Sequence, residues 1–172
     1  MKLSTLVVLL CLFTLPAAAQ IEWLSWEEAV ERNKTEPRKF LVDVYTDWCG
    51  WCKKMDKSTF VDPKVAAYVQ QNYYAVKFNA EQRGPIKFAG HTLTFDATAG
   101  RRGAHQLAIA LLDGRMSYPS IVYMDEEISR ITISPGFKAA DSILKELRFV
   151  AGEYYDRMTY EEYLKTVETS KR

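Results

Sequence analysis

Histidine is scarce in this chain, at two residues, and cysteine is hardly commoner, at three. A structural zinc centre needs about four ligands. Cys49, Cys52, His91 and His105 make up that number, but the histidines lack finger-type spacing. A metal centre is therefore not expected, and His91 and His105 read as ordinary surface or half-buried residues. An excess of one charge is missing too. Lys and Arg number 23 against 22 Asp and Glu, a formal net charge of +1. Nucleic-acid binding wants a basic face, so no such partner is expected. Internal repeats and low-complexity segments are absent.

What is present is ordinary globular composition, 48% hydrophobic and 26% charged over 172 residues. That suits one domain with a sizeable core. Met1 to Ala19 reads as a secretory signal: Lys2, an apolar run from Leu6 to Leu15, the breaker Pro16, then small Ala17, Ala18 and Ala19 ahead of Gln20. The run is too short to cross a bilayer, so no membrane span is expected after signal removal. A retained N-terminal anchor is the competing reading. Cys11 lies inside the run, behind bulky Leu10, and is expected to leave with the signal. The mature chain then carries two cysteines in an extracytoplasmic compartment, periplasmic or secreted, where a disulfide can persist.

Those two are Cys49 and Cys52, in Asp47-Trp48-Cys49-Gly50-Trp51-Cys52-Lys53. Phe40 to Tyr45 before them is an apolar run that reads as a buried strand. Gly50 to about Thr59 suits a helix. The pair thus sits at a helix N-terminus, where unpaired N–H groups and the helix dipole stabilise a thiolate. Cys49 reads as the exposed nucleophile and Cys52, one turn in, as the shielded resolving thiol. This spacing lets a disulfide close with little backbone movement. Half a zinc site or a static structural disulfide would look the same from spacing alone.

Along the chain, Ile21 to Trp23 reads as a short strand, and Ser25-Trp26-Glu27-Glu28 as a capping box opening a helix to about Lys34. Asp62-Pro63 restarts a helix. Tyr73 to Phe78 alternates as a strand. From Ala80 to Gly103 an inserted segment with short strands at Ile86–Phe88 and Thr92–Phe95 is expected, shaping a partner groove or simply elaborating the surface. A helix over Ala104–Leu112, strands over Ile121–Met124 and Ile128–Ile133, and a helix over Ala139–Val150 follow. The domain is expected over 20–151. The Tyr-rich tail, 152–172, is expected to pack back as a short helix, with a partner or dimer surface as the alternative.

Asp43 interrupts the apolar strand. A buried carboxylate costs several kcal/mol unless it is paired or protonated. It reads as a buried proton acceptor, or as an edge residue facing solvent.

Asp43-Val44-Tyr45-Thr46-Asp47-Trp48-Cys49, Cys52-Lys53, and Ser58-Thr59-Phe60-Val61-Asp62-Pro63-Lys64-Val65 together resemble the thioredoxin superfamily. The likeness is to the C-terminal thioredoxin-like domain of the thiol:disulfide interchange protein DsbD and to small secreted thioredoxin-like proteins. It is high from about Phe40 to Val65 and looser beyond. DsbD's membrane-spanning segments have no counterpart here. The resemblance implies an α/β thioredoxin fold, a central mixed sheet flanked by helices. It puts the family's buried acid at Asp43 and an acidic position of the DsbD domain at Asp56, a residue that also reads as a solvated helix position. It puts the cis-proline that positions an extended substrate at Pro119, with Tyr118 beside it, although a trans proline starting a strand is the plain alternative.

The function these readings imply is thiol–disulfide oxidoreduction with a redox-active Cys49–Cys52 pair and no cofactor. Partners would be proteins bearing disulfides or thiols, and an electron donor, expected to be a membrane thiol–disulfide protein. Trp48 and Trp51 would form an apolar collar around the sulfur. Gly50-Trp51 supplies no cationic partner, and negative charge at Asp43 and Asp56 raises thiol pKa values. Both favour a reductant over a disulfide donor or isomerase, with Lys53 pulling the other way. A non-catalytic binding module with a static disulfide, and a metal-delivery protein, are the readings from other classes.

Overall fold

Side-chain caps set the helical frame. The structure, a computed structural model, describes residues 20–169. Residues 1–19, with the signal reading and Cys11, and 170–172 lie outside the described residues. After β1 (Trp23–Leu24), helix α1 (Trp26–Asn33) starts where the Ser25 hydroxyl accepts from the Glu28 N–H at 3.2 Å and Glu28 accepts from the Ser25 N–H at 2.8 Å. Strand β2 (Lys39–Tyr45) and helix α2 (Gly50–Ser58) follow. Helix α3 (Pro63–Asn72) begins with Asp62 accepting from the Lys64 and Val65 N–H groups. Strand β3 (Tyr73–Asn79) then leads into the insertion.

The insertion differs from expectation in its second half. β4 (Ile86–Phe88) pairs with β5 (His91–Leu93), but Phe95 does not continue that strand. β6 (Phe95–Asp96) pairs instead with β7 (Ala104–His105), so these last two residues are strand rather than helix start. The reason is local bonding. The His105 N–H donates to Ala80 O at 2.7 Å, and its ring Nδ1 accepts from the Leu107 N–H, so α4 (Gln106–Leu111) starts two residues later than expected. His105 is 0% exposed, not a surface or half-buried residue, and burial lowers its pKa. Its Nε2 donates to Gly84 O at 3.1 Å, so one neutral ring joins the two ends of the insertion. His91 is exposed.

Strand β8 (Ser120–Met124), strand β9 (Arg130–Pro135), helix α5 (Ala140–Ala151) and helix α6 (Tyr160–Thr169) complete the chain. The last strand starts two residues later than expected. Asp125 accepts from the Glu127 and Ser129 N–H groups and holds Ile128 in the turn at φ 61°.

The main sheet has order β1-β3-β2-β8-β9, parallel from β1 to β2 and antiparallel beyond. Strand side chains alternate between faces. Phe40, Val42 and Val44 of β2 pack with α1 and α4, while Leu41 packs with α2, α3 and α5. Asp43 shares the face of Leu41. In the tail, Tyr163 is buried against Phe149 and Tyr154, at ring separations of 5.3 and 4.8 Å. Glu153 reaches back to the buried ammonium of Lys39, which Glu126 also holds.

Candidate active site

Strand β2 runs out at Tyr45, and a turn closes when the Cys49 N–H donates to Thr46 O at 3.1 Å. Cys49 is the N-cap of α2, and its sulfur accepts from the Cys52 N–H at 3.1 Å. That N–H is one of the helix-start donors that favour negative charge on the sulfur. The two sulfurs are bonded at 2.06 Å. Cys49 is 4% exposed, against the expectation of an open nucleophile, because its sulfur turns in over the first helical turn to meet Cys52. The exposed groups are its neighbours, Trp48 at 51% and Trp51 at 57%. Lys53 is also exposed.

Asp43 is 1% exposed, and Lys77, its cross-strand partner in β3, reaches it at 2.6 Å. Sequence reading missed Lys77. The available signal was a lysine in an otherwise apolar alternating strand, but its pairing with Asp43 depends on register. The same ammonium bonds Asp56, which projects from α2 and is part exposed. The two carboxylates therefore share a cation, which weakens the argument that they bear on the thiols as free negative charge. Burial still raises the Asp43 pKa, outweighing the attraction of Lys77. The Lys77 pKa is also raised, since its attraction to both carboxylates outweighs burial. Its ammonium lies 5.0 Å from the ring centres of Trp23 and Tyr45 and 5.3 Å from that of Phe60.

Pro119 follows a cis Tyr118–Pro119 bond. It lies one residue before the Ser120–Val44 pair, at the sheet end where β2 leads to Cys49. Tyr118 stands edge-on to Trp48 at 5.8 Å, and burial with nearby Glu81 pushes its pKa up to about 12. The Trp48 indole donates to Glu81 at 2.8 Å. On the other side Trp51 packs against Phe137, with the Lys54 ammonium 4.7 Å from its ring centre. Glu81, Lys54 and Phe137 were not singled out by sequence, because each meets the site through a loop or helix turn. Among the described residues no group of three or more His, Cys, Asp or Glu is placed to hold a metal ion.

The loop between β6 and β7 walls a cleft of about 750 Å³ that Trp48 and Tyr118 also line. Gly103 makes that hairpin possible. It sits at φ 76°, and a Cβ there would lie 2.2 Å from the Phe95 ring and 2.9 Å from Asp96 O. Gly103→Ala is expected to destabilise the protein by about 1–3 kcal/mol, through overpacking and left-handed backbone. Thermal melts check this. Gly100→Ala, with nothing within 4 Å of the added atom, should lower the melting temperature less.

A family model labelled Thioredox_DsbH and described as "Protein of unknown function, DUF255" matches residues 12–160. The chain belongs to this family. It is also similar to the thiol:disulfide interchange protein DsbD of Ralstonia nicotianae, 26% identical over 127 residues, covering 73% of this chain and 18% of that protein. Spermatogenesis-associated protein 20 of Mus musculus is 21% identical over 108 residues, 62% of this chain and 13% of its own length. The chain thus spans less than a fifth of either relative. A solved structure titled DsbH oxidoreductase superposes with TM-score 0.57 at 19% identity, covering 81% of this chain and 90% of that one. A thioredoxin-fold protein from Helicobacter pylori gives TM-score 0.58 at 18% identity, covering 77% and 81%. At these identities the structures show the fold, and it is the thioredoxin fold expected from Asp43 to Val65.

Proposed function

We propose that this DsbH-family chain is a thiol–disulfide oxidoreductase that reduces disulfides in substrate proteins outside the cytoplasm. The observation that carries the proposal is the Cys49–Cys52 pair at the N-cap of α2, between two exposed tryptophans. In the reduced protein the Cys49 thiolate attacks one sulfur of a substrate disulfide. A mixed disulfide forms and one substrate thiolate leaves. Cys52 gives up its proton, with Asp43 as acceptor or relay, and attacks the Cys49 sulfur. The second substrate thiolate leaves, so the substrate gains two electrons and the protein is left with Cys49–Cys52 oxidised. Pro119 and Tyr118 border the substrate strand, and Trp48 and Trp51 form its apolar collar.

Continued reduction requires an electron donor, and a membrane thiol–disulfide protein is the class that suits an exported chain. The export reading rests on residues 1–19 as a cleaved signal. The direction rests on Gly50-Trp51, which places no cationic or imidazole group beside the thiolate. Equilibration against glutathione tests this. A reduction potential near about −270 mV is expected, and one near about −120 mV would make the protein a disulfide donor instead.

A further inference from the structure

The cleft beside the disulfide is built from two sources. One wall comes from residues adjoining the redox centre: Trp48 precedes Cys49, and Tyr118 precedes Pro119. The other comes from the inserted loop, at Gly100, Arg101, Arg102 and Gly103. A polypeptide whose disulfide sulfur meets Cys49 has its flanking residues next to this space. The 97–103 loop is well held, since Asp96 accepts from the Thr98 N–H and hydroxyl, and the β6–β7 pairing closes its base.

The charges on the cleft are unequal. Arg101 and Arg102 face one acid, Glu81, whose carboxylate already accepts the Trp48 indole N–H at 2.8 Å. The Arg102 guanidinium lies 5.3 Å from the Trp48 ring centre, and Trp48 in turn packs edge-on against Tyr118. Behind the loop, the Arg83 guanidinium covers Phe95 at 3.8 Å. Across the disulfide, Lys54 stands over Trp51 in the same way. The formal charge of the whole chain is +1, so this concentration of cations is local, not a general basicity. Guanidinium groups match carboxylates in two-pronged geometry, and an aromatic floor takes the aliphatic part of a neighbouring side chain.

We infer that the cleft between Trp48 and the inserted loop is a specificity subsite for substrate segments carrying Asp or Glu beside the disulfide under attack. This rests on the thiol–disulfide reading above, and it assigns Arg101 and Arg102 as specificity-determining residues. Rim charges act chiefly on encounter and selection among partners, so the effect should weaken with salt.

The test uses two synthetic peptides, each closed by an internal disulfide and identical except for Asp or Lys on both sides of it. Reduction of each is followed at low ionic strength with dithiothreitol regenerating the purified protein. The Asp-flanked peptide is expected to have a kcat/KM at least tenfold higher. Arg101→Glu/Arg102→Glu should invert the preference, and the gain on the Lys-flanked peptide shows that the variant is folded. Serine-for-cysteine versions of both peptides, titrated against Trp fluorescence, measure binding without redox chemistry. Equal kcat/KM for both peptides, or equal losses on both in the variant, overturns the subsite and leaves the oxidoreductase reading standing. Selective binding of the acidic serine peptide without reduction of either disulfide overturns the oxidoreductase reading and upholds the acidic subsite. Neither reduction nor selective binding overturns both.

Discussion

Cys49→Ser should lower the rate of disulfide exchange by about a thousandfold or more, because the attacking sulfur is removed from the step that starts the reaction. Cys52→Ser should behave differently. Its Cys49 thiolate still attacks, but the mixed disulfide has no resolving thiol, so substrate stays attached in one-to-one ratio until an external thiol releases it. Both variants should fold. The ring closed by Cys49 and Cys52 is so short that losing it costs about 2 kcal/mol by the chain-entropy model. Mass spectrometry of the Cys52→Ser adduct and a disulfide-reduction assay on both proteins make the comparison. Wild-type rates in Cys49→Ser would remove this residue from the chemistry and return the pair to a static disulfide. That outcome would favour the binding-module reading.

Lys77→Met is expected to destabilise the protein by about 3–5 kcal/mol at pH 8, since it strands a 1%-exposed carboxylate without its cation. The pH dependence follows from direction. The folded pKa of Asp43 lies above its unfolded value, so between the two the native state holds a proton that the unfolded chain releases. The stability from that proton is fully present below the unfolded pKa and is lost as pH rises through the folded one. Removing Lys77 deletes the group that lowers the Asp43 pKa and moves the window upward. The penalty of the variant should therefore shrink as pH falls and Asp43 becomes neutral. Denaturant melts from pH 5 to pH 8.5 measure it. Asp43→Asn combined with Lys77→Met should recover most of the loss at pH 8. A penalty that is flat with pH would mean that Lys77 stabilises through its stem among Trp23, Tyr45 and Phe60, not through its charge.

These two predictions sit on different sides of what could be read from the sequence. The cysteine pair was legible because the signals that place it are local. An apolar run ends at Tyr45, and helix-compatible residues begin at Gly50, so the pair falls on a helix start wherever the rest of the chain lies. Ser25 with Glu28, and Asp62 with Pro63, are local in the same way, since a cap bonds residues two or three positions away. Asp43 was conspicuous as a charge in a buried strand, but its partner was not. Lys77 is 34 positions away, and only the parallel register of β2 and β3 brings them level. The insertion was recognisable from its glycines and its broken periodicity. Its first hairpin was legible too, but the pairing of Phe95–Asp96 with Ala104–His105 was missed, because strands of two residues carry too little alternation to show which partner they take.

What the sequence determined by itself is the α/β class and the dithiol at a helix N-terminus, which follow from short-range pattern: strand period, helix caps and a two-residue spacing between cysteines. The likeness to the thioredoxin superfamily came from the motif residues between Asp43 and Val65. The tertiary structure decided which charges meet. It paired Lys77 with both Asp43 and Asp56, buried His105 at the neck of the insertion, and set Arg102 over Trp48 beside Tyr118. Register and loop packing depend on the whole core closing at once. Contacts between residues far apart in the chain exist only after that closure.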